Sequence, residues 1–190
     1  MNPIAQIAES PTDTKSGLVG ITIIYEDRLT GLIAKRFSDS LTASLAEEQI
    51  QTPFCWRSEL VELPEIAARM TIDAAASEFV ILSMRGDTGI SMSLRHWIET
   101  WLNSAAGGPA SLVALFDPER SRASVMQALR FHLRQSAAEA RVPFFAHCAV
   151  APLETTRVQL LTSNKRTTQQ ERRSAFRKRF ARLVIEEAAA

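Results

Sequence analysis

The chain has 190 residues, 46% of them apolar and 23% charged, with a formal net charge of +1. That is the length of one domain with tails, with enough apolar content to bury a core without disulfide or metal staples. No apolar run approaches the roughly 20 residues of a membrane-spanning helix, and residues 1–17 lack the features of a secretory signal.

The charge is unevenly spread. From Lys165 to Ala190 eight basic residues stand against three acidic ones, whereas residues 1–164 hold 14 basic and 18 acidic ones. An acidic body therefore carries a basic end.

Residues 1–17 are polar and predict a flexible lead-in. Leu18–Tyr25 is almost continuously apolar and β-prone, which predicts a central strand covered on both faces. Leu29, Ile33, Phe37, Leu41 and Leu45 then recur every four residues, as on an amphipathic helix. After Pro53, Phe54–Val61 is a more polar strand of the kind found at a sheet edge. Pro64 fits the first turn of a second helix, with Ile66, Ala67, Met70 and Ala74 facing inward.

Phe79–Met84 is a third strand, apolar throughout but for Ser83. The helix after it carries Leu94, Trp97, Ile98 and Trp101 at helical spacing, which predicts core packing rather than a stacking platform. Ser111–Phe116 is a fourth strand. A helix from Glu119 to Ala140 follows, with Val125, Leu129 and Leu133 inward. Val142–Val150 is a fifth strand, Thr156–Leu161 a short extra one, and Thr167–Glu187 a final helix.

Cys55 and Cys148 are far apart and form no CxxC pair. Both lie in apolar, strand-like surroundings, so buried free thiols are expected, as suits a reducing, cytoplasmic location.

Strands alternating with helices imply an α/β fold: a three-layer α/β/α sandwich around a mainly parallel five-stranded sheet, order 2-1-3-4-5. The expected organisation is a tail at 1–17, a domain at 18–164 and a basic helix at 165–190.

From Leu18 to Val150 this order resembles the flavodoxin-like superfold, which includes flavodoxins and response-regulator receiver domains. The receiver resemblance implies an acidic pair after the first strand, matched by Glu26 and Asp27. It also implies an aspartate ending the third strand, where this chain has Ser83-Met84, and Asp87 comes too late. The receiver's hydroxyl position falls near Phe116-Asp117 and its lysine near His147. The flavodoxin resemblance implies an FMN phosphate cradled at a helix start, where Thr30-Gly31 matches the loop centre but Leu29 and Leu32 replace polar neighbours. Gly86-Asp87-Thr88-Gly89 would then run along the flavin ring.

Ligands of such sheets bind at the carboxyl ends of the strands. The candidates there are Glu26, Asp27, Arg28, Thr30, Gly31, Ser83, Arg85, Gly86, Asp87, Asp117 and His147. Converging carboxylates could hold Mg²⁺. The plainer alternative is that they cap helices, because acids favour helix N-termini. His147 and Cys148 are adjacent on a strand, point to opposite faces and so make no catalytic pair.

The C-terminal segment is the most distinctive. Phe176, Phe180, Leu183 and Val184 form an apolar stripe, with Arg172, Arg173, Arg177, Lys178, Arg179 and Arg182 around it. Docking on the acidic body, an acidic protein partner, nucleic-acid phosphates and an anionic membrane are the readings, in that order. The expected function is a non-catalytic regulatory or protein-interaction domain. The alternative is a small FMN-binding reductase.

Overall fold

The computed structural model describes residues 18–44 and 49–148. The expected N-terminal tail, the extra strand at 156–161, the final helix and its six basic residues lie outside them.

The elements run β1 (Leu18–Val19), β2 (Ile21–Tyr25), α1 (Arg28–Ser44), β3 (Gln49–Ile50), β4 (Phe54–Arg57), a 3₁₀ turn (Ser58–Glu62) and α2 (Pro64–Ala75). They continue with β5 (Phe79–Met84), α3 (Met92–Ser104), β6 (Ser111–Phe116), α4 (Ala123–Glu139) and β7 (Phe144–Cys148). Five strands form one parallel sheet in the order β4-β2-β5-β6-β7, with β1 and β3 paired beside it. Counting the five by chain order gives the expected 2-1-3-4-5.

The long strand expected from Leu18 to Tyr25 is split at Gly20. A Cβ there would lie 2.9 Å from the Ala76 carbonyl oxygen, so only glycine lets the backbones pass. The Gly20 N–H donates to the Glu78 carboxylate at 2.7 Å, and its carbonyl accepts from Glu78 and Phe79. The second strand is shorter than expected. It ends at Arg57, and Ser58–Glu62 turns as a 3₁₀ helix that brings Val61 into the core.

Successive strand residues point to opposite faces, so each central strand serves two layers. On one face α2, α3 and α4 place Met70, Ala74, Trp97, Trp101, Leu129 and Leu133 against Val80, Leu82, Leu112 and Ala114. On the other, α1 sets Ala34, Phe37 and Leu41 against Ile21, Ile23, Phe79, Ile81, Val113 and Leu115. All six residues of β5 and of β6 are buried, which accounts for their unbroken apolar character.

The expected stripe of α3 is buried as read, with Trp97 and Trp101 stacked at 6.4 Å. The expected stripe of α1 holds from Phe37 to Leu41, but Leu29 is exposed. The two cysteines depart from expectation, since both are exposed. Cys55 lies on outer strand β4, where burial alternates, and Cys148 ends outer strand β7.

Candidate functional site

Parallel strands bring the loops after β2, β5 and β6 to one carboxyl edge, where the strand order reverses. Ten of the eleven edge candidates sit on or beside these loops.

Asp27 immediately precedes α1. Its carboxylate accepts the Thr30 N–H at 2.9 Å, while the Asp27 N–H donates to the Thr30 hydroxyl at 2.8 Å. This reciprocal pair satisfies helix-end donors as a capping box does. The Asp27 carbonyl accepts the Gly31 N–H at 2.9 Å. On its outer side the Asp27 carboxylate meets the Arg120 guanidinium at 3.0 Å. Burial pushes the Asp27 carboxyl up, but the Thr30 N–H and hydroxyl and the Arg120 charge outweigh it and hold the pKa below the ordinary value.

Glu26 is tied to the next loop. Its carboxylate accepts the Arg85 N–H at 2.7 Å and lies 3.5 Å from the Arg85 guanidinium. The same guanidinium faces Asp87 at 3.6 Å, a contact of opposite charges too long for a hydrogen bond. Ser121 closes the remaining gap, its hydroxyl lying within hydrogen-bond distance of the carbonyls of Arg85 and Asp117. The Arg122 N–H donates to the Gly86 carbonyl at 2.9 Å. Three loops are thus joined by two arginines and a serine.

The glycines serve this packing. Gly86 has φ of +75°, and a Cβ there would meet the Ser121 Oγ at 2.6 Å. At Gly31 a Cβ would fall 2.9 Å from the Tyr25 ring, so this glycine seats an aromatic side chain against the start of α1.

Four candidates remain. Ser83 is buried on the α1 side, and its hydroxyl donates to the Thr30 carbonyl at 2.8 Å, pinning α1 to β5. Asp117 is buried and accepts the Glu119 N–H at 3.1 Å, shaping the turn into α4. Arg28 is the exposed first residue of α1. His147 pairs in register with Leu115, is buried on the α1 side and lies 6.3 Å from the Phe37 ring. Sequence reasoning missed Arg120 and Ser121. Their signal was position alone, in the loop after β6 beside Asp117.

This arrangement does not fit the phosphate of a flavin. At the start of α1 the Thr30 N–H already donates to the Asp27 carboxylate, whose charge repels a phosphate. A divalent cation meets a similar obstacle, because Glu26 and Asp27 are each matched to a guanidinium. Among the described residues no three His, Cys, Asp or Glu side chains come together as a metal site requires. No helix among them is long and apolar enough to cross a membrane.

No protein-family model and no curated protein matches the chain. Among solved structures it is similar to a flavodoxin from Streptococcus pneumonia TIGR4, with 14% identity and a TM-score of 0.46 over 88% of this chain and 99% of that one. It is also similar to a short-chain flavodoxin associated with a PDU bacterial microcompartment, with 10% identity and a TM-score of 0.44 over 68% and 81%. A third is the Trp repressor binding protein from Bacillus subtilis, with 11% identity and a TM-score of 0.41 over 72% and 89%. Likenesses this distant carry no functional argument. The strand order and the grouping of α2, α3 and α4 on one face make the fold itself flavodoxin-like.

Proposed function

We propose that the domain is a non-catalytic regulatory or protein-interaction module, receiver-like in organisation, that acts in the cytoplasm on another protein. The observation that carries this reading is the closure of the carboxyl edge. Asp27–Arg120, Glu26–Arg85 and Ser121 join the three loops between which this fold holds its ligands. A receiver's aspartate is replaced by Ser83-Met84 at the end of β5, and Ser83 is engaged with α1. The basic residues Arg172, Arg173, Arg177, Lys178, Arg179 and Arg182 supply charge for an acidic protein surface.

Titration of flavin-stripped protein with FMN tests the proposal against the reductase alternative. Flavin fluorescence is expected to stay unchanged at micromolar FMN, and incubation with a small phosphodonor and Mg²⁺ to leave the chain unlabelled. Saturable quenching would restore the flavin reading, and robust labelling would make the domain an active receiver. If the basic segment instead holds nucleic acid, binding would be steeply salt-dependent and lost on deleting residues 165–190.

A further inference from the structure

Charge is polarised along the chain. Residues 18–119 hold seven basic and fourteen acidic residues, whereas residues 120–148 hold five arginines and one glutamate. The basic share centres on α4 and its two ends.

α4 packs through Leu129, Leu133 and Ala137, which are buried. Phe131 lies on the opposite side of the helix, at about 3.6 residues per turn, and is 69% exposed. Its neighbours on the helix surface, three and four residues away, are Gln127, Ala128, Arg134 and Gln135, all exposed. Arg130 is exposed one turn before Arg134. Neither guanidinium has an ion-pair or hydrogen-bond partner among the described residues. His132 lies 3.6 Å from Glu99 of α3 and marks the flank of α4 that faces its neighbour. Arg130 and Arg134 fall on the other flank, away from α3.

An exposed phenyl ring beside two unpaired guanidinia has the composition of a protein interface rather than of open surface. The ring takes an apolar side chain, and each guanidinium takes a carboxylate through paired N–H donors. A nucleic acid or an anionic membrane fits this face less well. Each spreads dense negative charge over a wide area, and residues 18–148 as a whole are acidic in balance. A protein segment needs only the local face, because charge beyond about 8 Å is screened at physiological salt.

We infer that the outer face of α4 docks an acidic protein segment, with Phe131 against an apolar side chain of the partner and Arg130 and Arg134 on its carboxylates. This rests on the protein-interaction reading above and deepens it, placing a contact on the folded domain itself.

The test titrates the full chain with a synthetic helical peptide in which Leu is flanked by Glu, following backbone amides by NMR. Shifts are expected in residues 127–135, and a peptide with Lys in place of Glu is expected to give none. Phe131→Ser, at an exposed site, leaves the core intact and is expected to weaken binding at least tenfold. Arg130→Gln/Arg134→Gln is expected to weaken it as much and to flatten its dependence on salt. Arg28→Gln/Arg36→Gln, on the exposed side of α1, is expected to change neither. Equal loss in the α1 pair would reduce the binding to general attraction and overturn the inference, as would an absence of shifts at millimolar peptide. Tighter binding of a single-stranded oligonucleotide or an anionic vesicle at the same amides would also overturn it. So would α4 shifts on concentrating the chain alone, which would assign the face to a second copy. Shifts confined to residues 165–190 would overturn it and leave the protein-interaction reading standing. Saturable FMN quenching would remove that reading by a route that does not involve α4, so the two failures are separable.

Discussion

Arg120 and Asp27 are 93 residues apart in sequence and 3.0 Å apart in space, a guanidinium closing on the carboxylate that caps α1. The contact joins the start of the first long helix to the loop after β6, across the crevice where the strand order reverses. The same carboxylate therefore serves the helix on one side and the neighbouring loop on the other.

Arg120→Gln removes the outer half of this arrangement. Both side chains are about a third exposed, so the pair is worth about 0.5–1 kcal/mol rather than the larger value of a buried bridge. Asp27→Ala loses the cap as well and is expected to cost about 1–2 kcal/mol. Urea unfolding of the two variants and their double mutant gives the coupling. A coupling of zero would show that the contact contributes nothing in solution.

Asp27 also fixes an acid limb of stability. Its folded pKa is lower than its unfolded one, so the unfolded chain binds its proton first as pH falls. The contribution is complete above the ordinary carboxylate value of about 3.9 and is lost as pH drops through it toward the folded value. The stability gap between the wild type and Asp27→Asn is expected to be widest near neutrality and to narrow below about pH 4. A gap that is constant from pH 7 to pH 3 would contradict the assigned shift.

The sheet was legible because its central strands are buried on both faces, and such strands read as apolar runs: Phe79–Met84 and Ser111–Phe116 needed no partner to be recognised. The edge acids were legible as a cluster, but their role was not. Glu26 and Asp27 resemble a ligand site until Arg85 and Arg120 are placed, and that pairing depends on loops 59 and 93 residues away. Asp73 shows the same blindness. It is buried on α2 and accepts the indole N–H of Trp56 from β4, a partner that its neighbours in sequence do not announce. The cysteines failed in the other direction: the expected strand order already puts both of their strands at the sheet's margins, where apolar neighbours in sequence are no sign of burial.

Gly31→Ala tests whether the glycine serves Tyr25 rather than a phosphate. The added methyl meets the ring at 2.9 Å, and overpacking of this kind costs about 1–3 kcal/mol. Tyr25→Leu in the same chain is expected to recover part of the loss by vacating the ring's space. If Gly31→Ala is as stable as the wild type, the tight seat is wrong.

Both thiols are expected to react with a disulfide reagent in the native protein, because both cysteines are exposed. Enough of the protein surrounds Cys55 that burial pushes its thiol pKa up, with the nearby Lys35 charge opposing. Its reaction should therefore continue to accelerate above the usual thiol range, and Cys55→Ser should remove that phase. Titration of a single thiol per folded chain would contradict the exposure of one of the two.

Asp73 joins two elements through one side chain. It accepts the Trp56 indole N–H at 3.2 Å and pairs with Arg69 at 3.1 Å, while its own side chain is only 3% exposed. Asp73→Ala leaves the half-buried indole N–H without its acceptor, which costs about 1–3 kcal/mol. Asp73→Asn retains an acceptor oxygen and loses only the charge pairing with Arg69, whose side chain is largely in water, so it should lose less than half as much. Arg69→Ala is expected to lie within about 0.5 kcal/mol of the wild type. Urea unfolding followed by tryptophan fluorescence ranks the three. Equal losses for Ala and Asn at position 73 would assign the stabilisation to the Arg69 ion pair and leave the indole contact incidental.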